Sequence, residues 1–141
     1  MMSNRKAVTG FHGPLRVSSA NPRYFTDDTG RAIYLTGSHT WANLVEIKYE
    51  GDPDFDYDEY LDFMVAHNHN FMRMWTWHHP EGVGWTDAKV VMDPLPYART
   101  GPGLAADGKP RFDLGRHNPV YFDRLRQRVI AASERGLYVS I

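Results

Sequence analysis

The sequence predicts an α/β chain: a β-hairpin followed by about three βα units of a parallel (β/α)8 barrel. Three observations carry this prediction. Segments with helical apolar spacing alternate with short apolar strand-like runs, the order that gives right-handed crossovers and a parallel sheet. Gly37-Ser38-His39, after the first such run, fits neither G-x-G-x-x-G nor G-x-x-x-x-G-K-[ST]. A nucleotide-binding doubly wound fold is therefore the weaker choice. Finally, Phe71, Arg73, Trp75 and Trp77 share one face of an extended run, and Met72, Met74 and Thr76 share the other. The Met face suits packing against helices, and the Arg/Trp face suits a barrel interior or its mouth.

The elements follow in order. Residues 1–13 read as a polar tail and 14–141 as the barrel portion, incomplete at its C-terminus. Leu15 to Ser18 predicts a short strand. Arg23–Thr26 and Arg31–Thr36 are β-prone runs joined by Asp27-Asp28-Thr29-Gly30, which suits a hairpin connection. The second run is apolar on both faces, the pattern of a buried strand. Tyr57, Tyr60, Leu61, Met64 and Val65 form a helical stripe, with Asp56 as its cap and Glu59 completing a capping box. A strand follows at Phe71–Trp75. Thr76 to about His117, rich in Pro and Gly, reads as one long irregular loop of the kind that carries function. Asn118-Pro119 opens a second helix, with Phe122, Leu125, Val129 and Ala132 as its buried stripe and Gly136 as its stop. Leu137–Ile141 predicts the third barrel strand.

Composition narrows the function. The 141 residues carry 16 Lys plus Arg against 17 Asp plus Glu, a net charge of −1. No basic excess attracts nucleic acid or anionic lipid, so neither a nucleic acid nor a membrane is an expected partner. With no cysteine, disulfides, thiolate metal sites and cysteine nucleophiles are excluded. The first ten residues lack the apolar core of a signal peptide, which leaves the cytoplasm as the default expectation.

In α/β folds the functional loops follow the C-terminal ends of strands. That rule selects Gly37–Trp41 and Thr76–His79. All four Trp of the chain (Trp41, Trp75, Trp77 and Trp85) fall at such ends or in the loops beyond them. Aromatic rings at a cleft stack on the flat C–H faces of sugars, while polar side chains meet the hydroxyls. The alternative is that these rings fasten a long loop to the domain. Arg73 has two readings as well: a structural Arg–carboxylate pair, or an Arg that holds a catalytic carboxylate.

Arg23-Tyr24-Phe25-Thr26-Asp27, Ile33 through Trp41 and Asn70 through Trp75 together resemble the N-terminus of clan A, cellulase-like TIM-barrel glycoside hydrolases, in particular the apiosidase-like group. Phe112-Asp113-Leu114, Asn118-Pro119, Tyr121–Leu125 and Ala132–Val139 extend the resemblance across residues 14–141. It implies retaining hydrolysis of plant or microbial polysaccharide or oligosaccharide by two carboxylates about 5–5.5 Å apart. It places both carboxylates beyond Ile141, so this chain alone is expected to bind but not to cleave. It gives Arg73 a role supporting the nucleophile. The expected substrate-binding residues are His39, Trp41, Arg73, Trp75, Trp77 and His78, with no cofactor.

Two alternatives stand beside this reading. A non-catalytic carbohydrate-binding or scaffold role needs the aromatic cleft without an acid pair. A metal-dependent hydrolase would use His, but His67-x-His69 precedes its strand and adjacent His78-His79 diverge, so no metal site is expected. Glu46, Asp52, Asp54, Glu81 and Asp87 lie in the predicted loops, where solvated acids are the ordinary case.

Overall fold

The computed structural model describes residues 12–77, 79 and 81–141. The elements are β1 (Arg16–Val17), β2 (Phe25–Thr26), β3 (Ala32–Ile33), β4 (Glu46–Tyr49), α1 (Tyr57–Ala66), β5 (Phe71–Arg73), β6 (Glu81–Val83), β7 (Thr86–Asp93), β8 (Tyr97–Leu104), β9 (Pro110–His117), α2 (Pro119–Glu134) and β10 (Tyr138–Ser140). They form four separate sheets: β1-β2-β3, β4-β7-β6, β8-β9 and the pair β10-β5.

The barrel prediction is overturned. Three of the four sheets are antiparallel, and among the described residues parallel pairing is confined to β5 with β10. The chain is therefore not a run of three βα units. The physical reason lies in residues 76–117, expected to be loop. Here Val90 and Met92 point inward from β7 and are buried, while Lys89 and Asp93 stay exposed. That is a half-buried antiparallel strand with period-two alternation. Pro110 opens β9, a position where a strand tolerates proline, and Gly108 turns the β8–β9 hairpin at φ 74°.

The run Ala32–Thr36 is also not a buried strand. Only Ala32–Ile33 pair, and Tyr34 is 77% exposed. Thr36 still ties this segment to β5, because its carbonyl accepts from the Asn70 and Phe71 amides at 2.9 and 3.1 Å. Gly37 sits so close to β5 that a Cβ there would stand 1.7 Å from the Phe71 carbonyl oxygen. Its glycine is required by close approach of two backbones.

The hairpin and both helices form where the sequence places them. β2 pairs antiparallel with β3 across the Asp27–Gly30 turn. The Asp56 carboxylate accepts from the Glu59 amide at 2.9 Å, which caps α1. Asn118 caps α2 through the Val120 amide, with Pro119 at its first position. The stripes differ in detail: Leu61 and Met64 are buried but Val65 is exposed, and on α2 the buried residues are Tyr121, Arg128 and Ala132, with Phe122 exposed. Met72 and Met74 lie in the core, as their face of β5 requires. Leu44, Val45, Val90, Met92 and Leu137 complete that core between the helices and the β4-β7-β6 sheet.

Candidate functional site

The C-terminal end of β5 is locked to the segment before β4. Asn43 is fully buried, and its side chain bonds both sides of the chain as it leaves β5. Its amide donates to the Arg73 carbonyl at 2.6 Å, and its carbonyl accepts from the Trp75 amide at 3.1 Å. A buried side chain satisfying two backbone groups fixes the course of that backbone. From there Arg73, Trp75 and Trp77 project along one face, as their spacing predicts.

These side chains form a ladder of rings. The Arg73 guanidinium lies 4.9 Å from the Trp75 ring centre. Trp75 stacks with Trp77 at 5.9 Å and 23°, and His39 meets Trp75 at 5.9 Å. Trp41 contacts Trp77 at 5.7 Å and Trp85 at 5.7 Å. The Trp77 indole N–H donates to the Trp41 carbonyl at 3.1 Å, which pins the two residues together. His79 extends the row from Trp77 at 6.3 Å.

The rings do not share one environment. Trp75 and Trp77 are half-buried inside the ladder, and Trp77 packs against the core. Trp41 and Trp85 are 46% and 57% exposed. Within the ladder the open faces are those of Trp41 and Trp85.

Two hollows flank Trp85. A groove of about 420 Å³ is lined by Trp41, Ala42, Glu46, Ile47, Lys48, Tyr49, Asp52, Pro53, Phe55, Trp85 and Val90. A smaller hollow of about 300 Å³ is lined by Trp77, His79, Val83, Gly84 and Trp85. The first is in the size range of small-molecule sites.

A buried ionic network holds the floor of the groove. Glu46 on β4, only 5% exposed, accepts from Arg124 at 2.6 Å and Arg128 at 3.2 Å of α2, and from the Phe55 amide at 2.9 Å. Arg128 also donates to the Ala42 carbonyl at 3.0 Å and lies 4.6 Å from the Tyr57 ring centre. Burial pulls the Arg128 pKa down, and burial pushes the Tyr57 hydroxyl up, beyond the normal phenol range. Nearby, the Lys48 ammonium holds Asp54 at 2.5 Å and lowers its carboxyl pKa.

Of the expected binding residues, His39, Trp41, Arg73, Trp75 and Trp77 come together in the ladder; His78 lies outside the described residues. Arg73 is exposed and forms no ion pair among the described residues, so the buried Arg–carboxylate pair expected there is found instead at Arg128 and Glu46. Glu46 is a buried structural acid rather than a solvated loop acid. Asp52, Asp54 and Asp87 are exposed; the Glu81 side chain lies outside the described residues. His67 and His69 serve the α1–β5 connection: their Nδ1 atoms lie 2.8 Å from the Phe63 carbonyl and 3.4 Å from the Thr36 hydroxyl. Among the described residues no three His, Asp or Glu side chains gather as metal ligands. No described helix is long and apolar enough to cross a membrane.

Comparison with known proteins adds no neighbour. No protein-family model, curated protein or solved structure matches this chain. The site is therefore read from its own geometry. Sequence reasoning passed over Asn43 and the groove-lining β4, because neither carries a periodic or motif signal. Trp85 stood in the sequence as one of four Trp, and its exposure is what sets it apart.

Proposed function

We propose that this chain binds saccharides, and that it does so as the sugar-contacting segment of a retaining O-glycosyl hydrolase acting on plant or microbial polysaccharide or oligosaccharide. One observation supports this above the others: a fixed row of four Trp rings that leaves Trp41 and Trp85 open beside two hollows. Sugars use such open faces for C–H stacking, here that of Trp85 at the smaller hollow, where His79 offers a partner for hydroxyls.

The chain's own part in this reading is binding. Asp27, Asp54 and Asp107 all have lowered carboxyl pKa values, through Thr29, Lys48 and Arg99 respectively. Lowered carboxylates are unsuited to donating a proton near neutrality. Glu46 is engaged by two arginines and the Phe55 amide. These observations equally favour the second reading, a non-catalytic carbohydrate-binding role.

Titration with cellotriose, xylotriose and arabinotriose, followed by Trp fluorescence and calorimetry, tests the reading. At least one trisaccharide should bind, and Trp85→Ala should weaken it about ten-fold, the equivalent of about 1.4 kcal/mol, while stability falls only by the lost ring contact with Trp41, about 0.5–1.5 kcal/mol. Equal affinity in the variant removes Trp85 from the site. Absence of binding by every sugar tested counts against the saccharide reading itself.

A further inference from the structure

We infer that the 420 Å³ groove takes a planar aromatic substituent carried by the saccharide ligand, a phenolic ring rather than another sugar. This inference rests on the saccharide reading above. Its basis is the state of the groove's polar groups. Glu46 has its oxygens engaged by Arg124, Arg128 and the Phe55 amide. Lys48 donates to the Asp52 carbonyl at 2.8 Å and to the Asp54 carboxylate at 2.5 Å. That leaves the Asp52 carboxylate and, on the half-exposed rings, the Tyr49 hydroxyl and the Trp41 and Trp85 indole N–H groups, all near the rim. The remaining walls are aromatic or aliphatic: Trp41, Trp85, Tyr49, Phe55, Ile47 and Val90.

A sugar ring deep in this groove would bury hydroxyls against apolar walls and against Glu46 and Lys48, which are already engaged, and that is unfavourable. An aromatic ring has no such hydroxyls to desolvate and gains face and edge contacts with Trp41, Trp85 and Tyr49. The walls are set for it, since Trp41 and Trp85 stand 58° apart at 5.7 Å. A wall shared with the neighbouring hollow gives the attachment. Trp85 lines both cavities, so a sugar beside Trp77 and His79 would place its substituent across Trp85 in the groove. The ligand class that spans both is an aromatic glycoside or a saccharide bearing an aromatic ester.

Matched phenyl and methyl glycosides of glucose, galactose, xylose and arabinose, with free phenol as a third probe, test this by calorimetry and saturation-transfer NMR. Phenyl glycosides should bind about ten-fold more tightly than their methyl partners, from the apolar area of one ring removed from water. Tyr49, half-exposed at the groove wall, provides the variants. Tyr49→Ala should erase most of the phenyl advantage and leave methyl glycosides within two-fold; Tyr49→Phe should retain the advantage, since the ring and not the hydroxyl makes the contact. Equal affinity for phenyl and methyl glycosides overturns the inference and leaves the saccharide reading standing. Binding of phenol with no gain from any attached sugar upholds an aromatic groove and overturns the saccharide reading. Binding of none of the probes overturns both.

Discussion

Replacing Glu46 by Ala tests the network that joins β4 to α2. The carboxylate accepts two charged hydrogen bonds, from Arg124 and Arg128, and one neutral bond from the Phe55 amide. Arg124 is more than a quarter exposed at its side chain, so water replaces much of what it loses. Arg128 is not so placed: its side chain is 10% exposed, and its remaining polar contact is the Ala42 carbonyl. Orphaning a buried charged donor costs about 1.5–3 kcal/mol, and an unpaired amide adds about 1 kcal/mol. The sum, about 2.5–4 kcal/mol, overlaps the roughly 3–5 kcal/mol typical of breaking a buried pair from one side. In urea, followed by Trp fluorescence, the midpoint should fall by roughly 1–2 M with an unchanged slope. Arg128→Met in the same background should restore part of the loss, because it removes the stranded charge. A loss under 1 kcal/mol from Glu46→Ala alone would mean that water reaches Arg128 freely and that the network is ornamental.

Three further expectations concern the same framework. Asn43→Ala strands the Arg73 carbonyl and the Trp75 amide, so stability should drop by about 2–3 kcal/mol, and Trp emission should shift red as Trp75 loosens; an unshifted spectrum would show that the ladder holds without Asn43. Gly37→Ala forces the backbone away from Phe71 and should destabilise by about 1–3 kcal/mol, the range of overpacking; a neutral result in thermal melts would show the two segments free to separate. Asp107 is held below the normal carboxyl pKa chiefly by its bond from Arg99, so its contribution is present above the unfolded pKa of 3.8 and is lost as pH falls through the lower folded value. Wild type should therefore exceed Asp107→Asn in melting temperature at pH 6, and the gap should close below pH 4; a gap that is constant with pH removes the carboxylate from the explanation.

Local rules were legible where one residue type settles a local geometry. Asp56 and Asn118 cap α1 and α2, Gly136 stops α2 at φ 76°, and Met72 and Met74 turn to the core. What failed was the inference from element order to sheet type. An apolar run such as Ala32–Thr36 looks the same whether it enters a buried parallel sheet or lies on the surface with Tyr34 in water. The hairpins between β5 and α2 were hidden by their own composition. Pro96, Pro102, Pro110 and their glycines signal irregular chain when read singly, yet in β8–β9 they sit at turns, strand ends and bulges, where antiparallel pairs accept them. With the hairpins missed, the alternation of helix and strand implied parallel crossovers that, among the described residues, only β5 and β10 make.

The site was half legible for a related reason. Period-two spacing from Arg73, the last residue of β5, places Trp75 and Trp77 on the same face of the chain beyond it without reference to the rest of the fold, so this part of the ladder follows from sequence. Which rings remain open does not, because it depends on what lies across from them. Trp41 reaches Trp77 only because residues 41–46 are held from both sides: the Trp41 carbonyl by the Trp77 indole, the Ala42 carbonyl by Arg128, Asn43 by the end of β5, and Glu46 by α2. Leu44 and Val45 between them are fully buried. A segment anchored at each of these points loses little conformational freedom on binding, which is how a half-exposed indole becomes a rigid platform instead of a mobile surface ring. The buried Glu46 network and the exposed Trp41 face are thus two ends of one short stretch of chain. Loosening the first should therefore blur the second, even though both Glu46 oxygens are turned to α2 and the Phe55 amide.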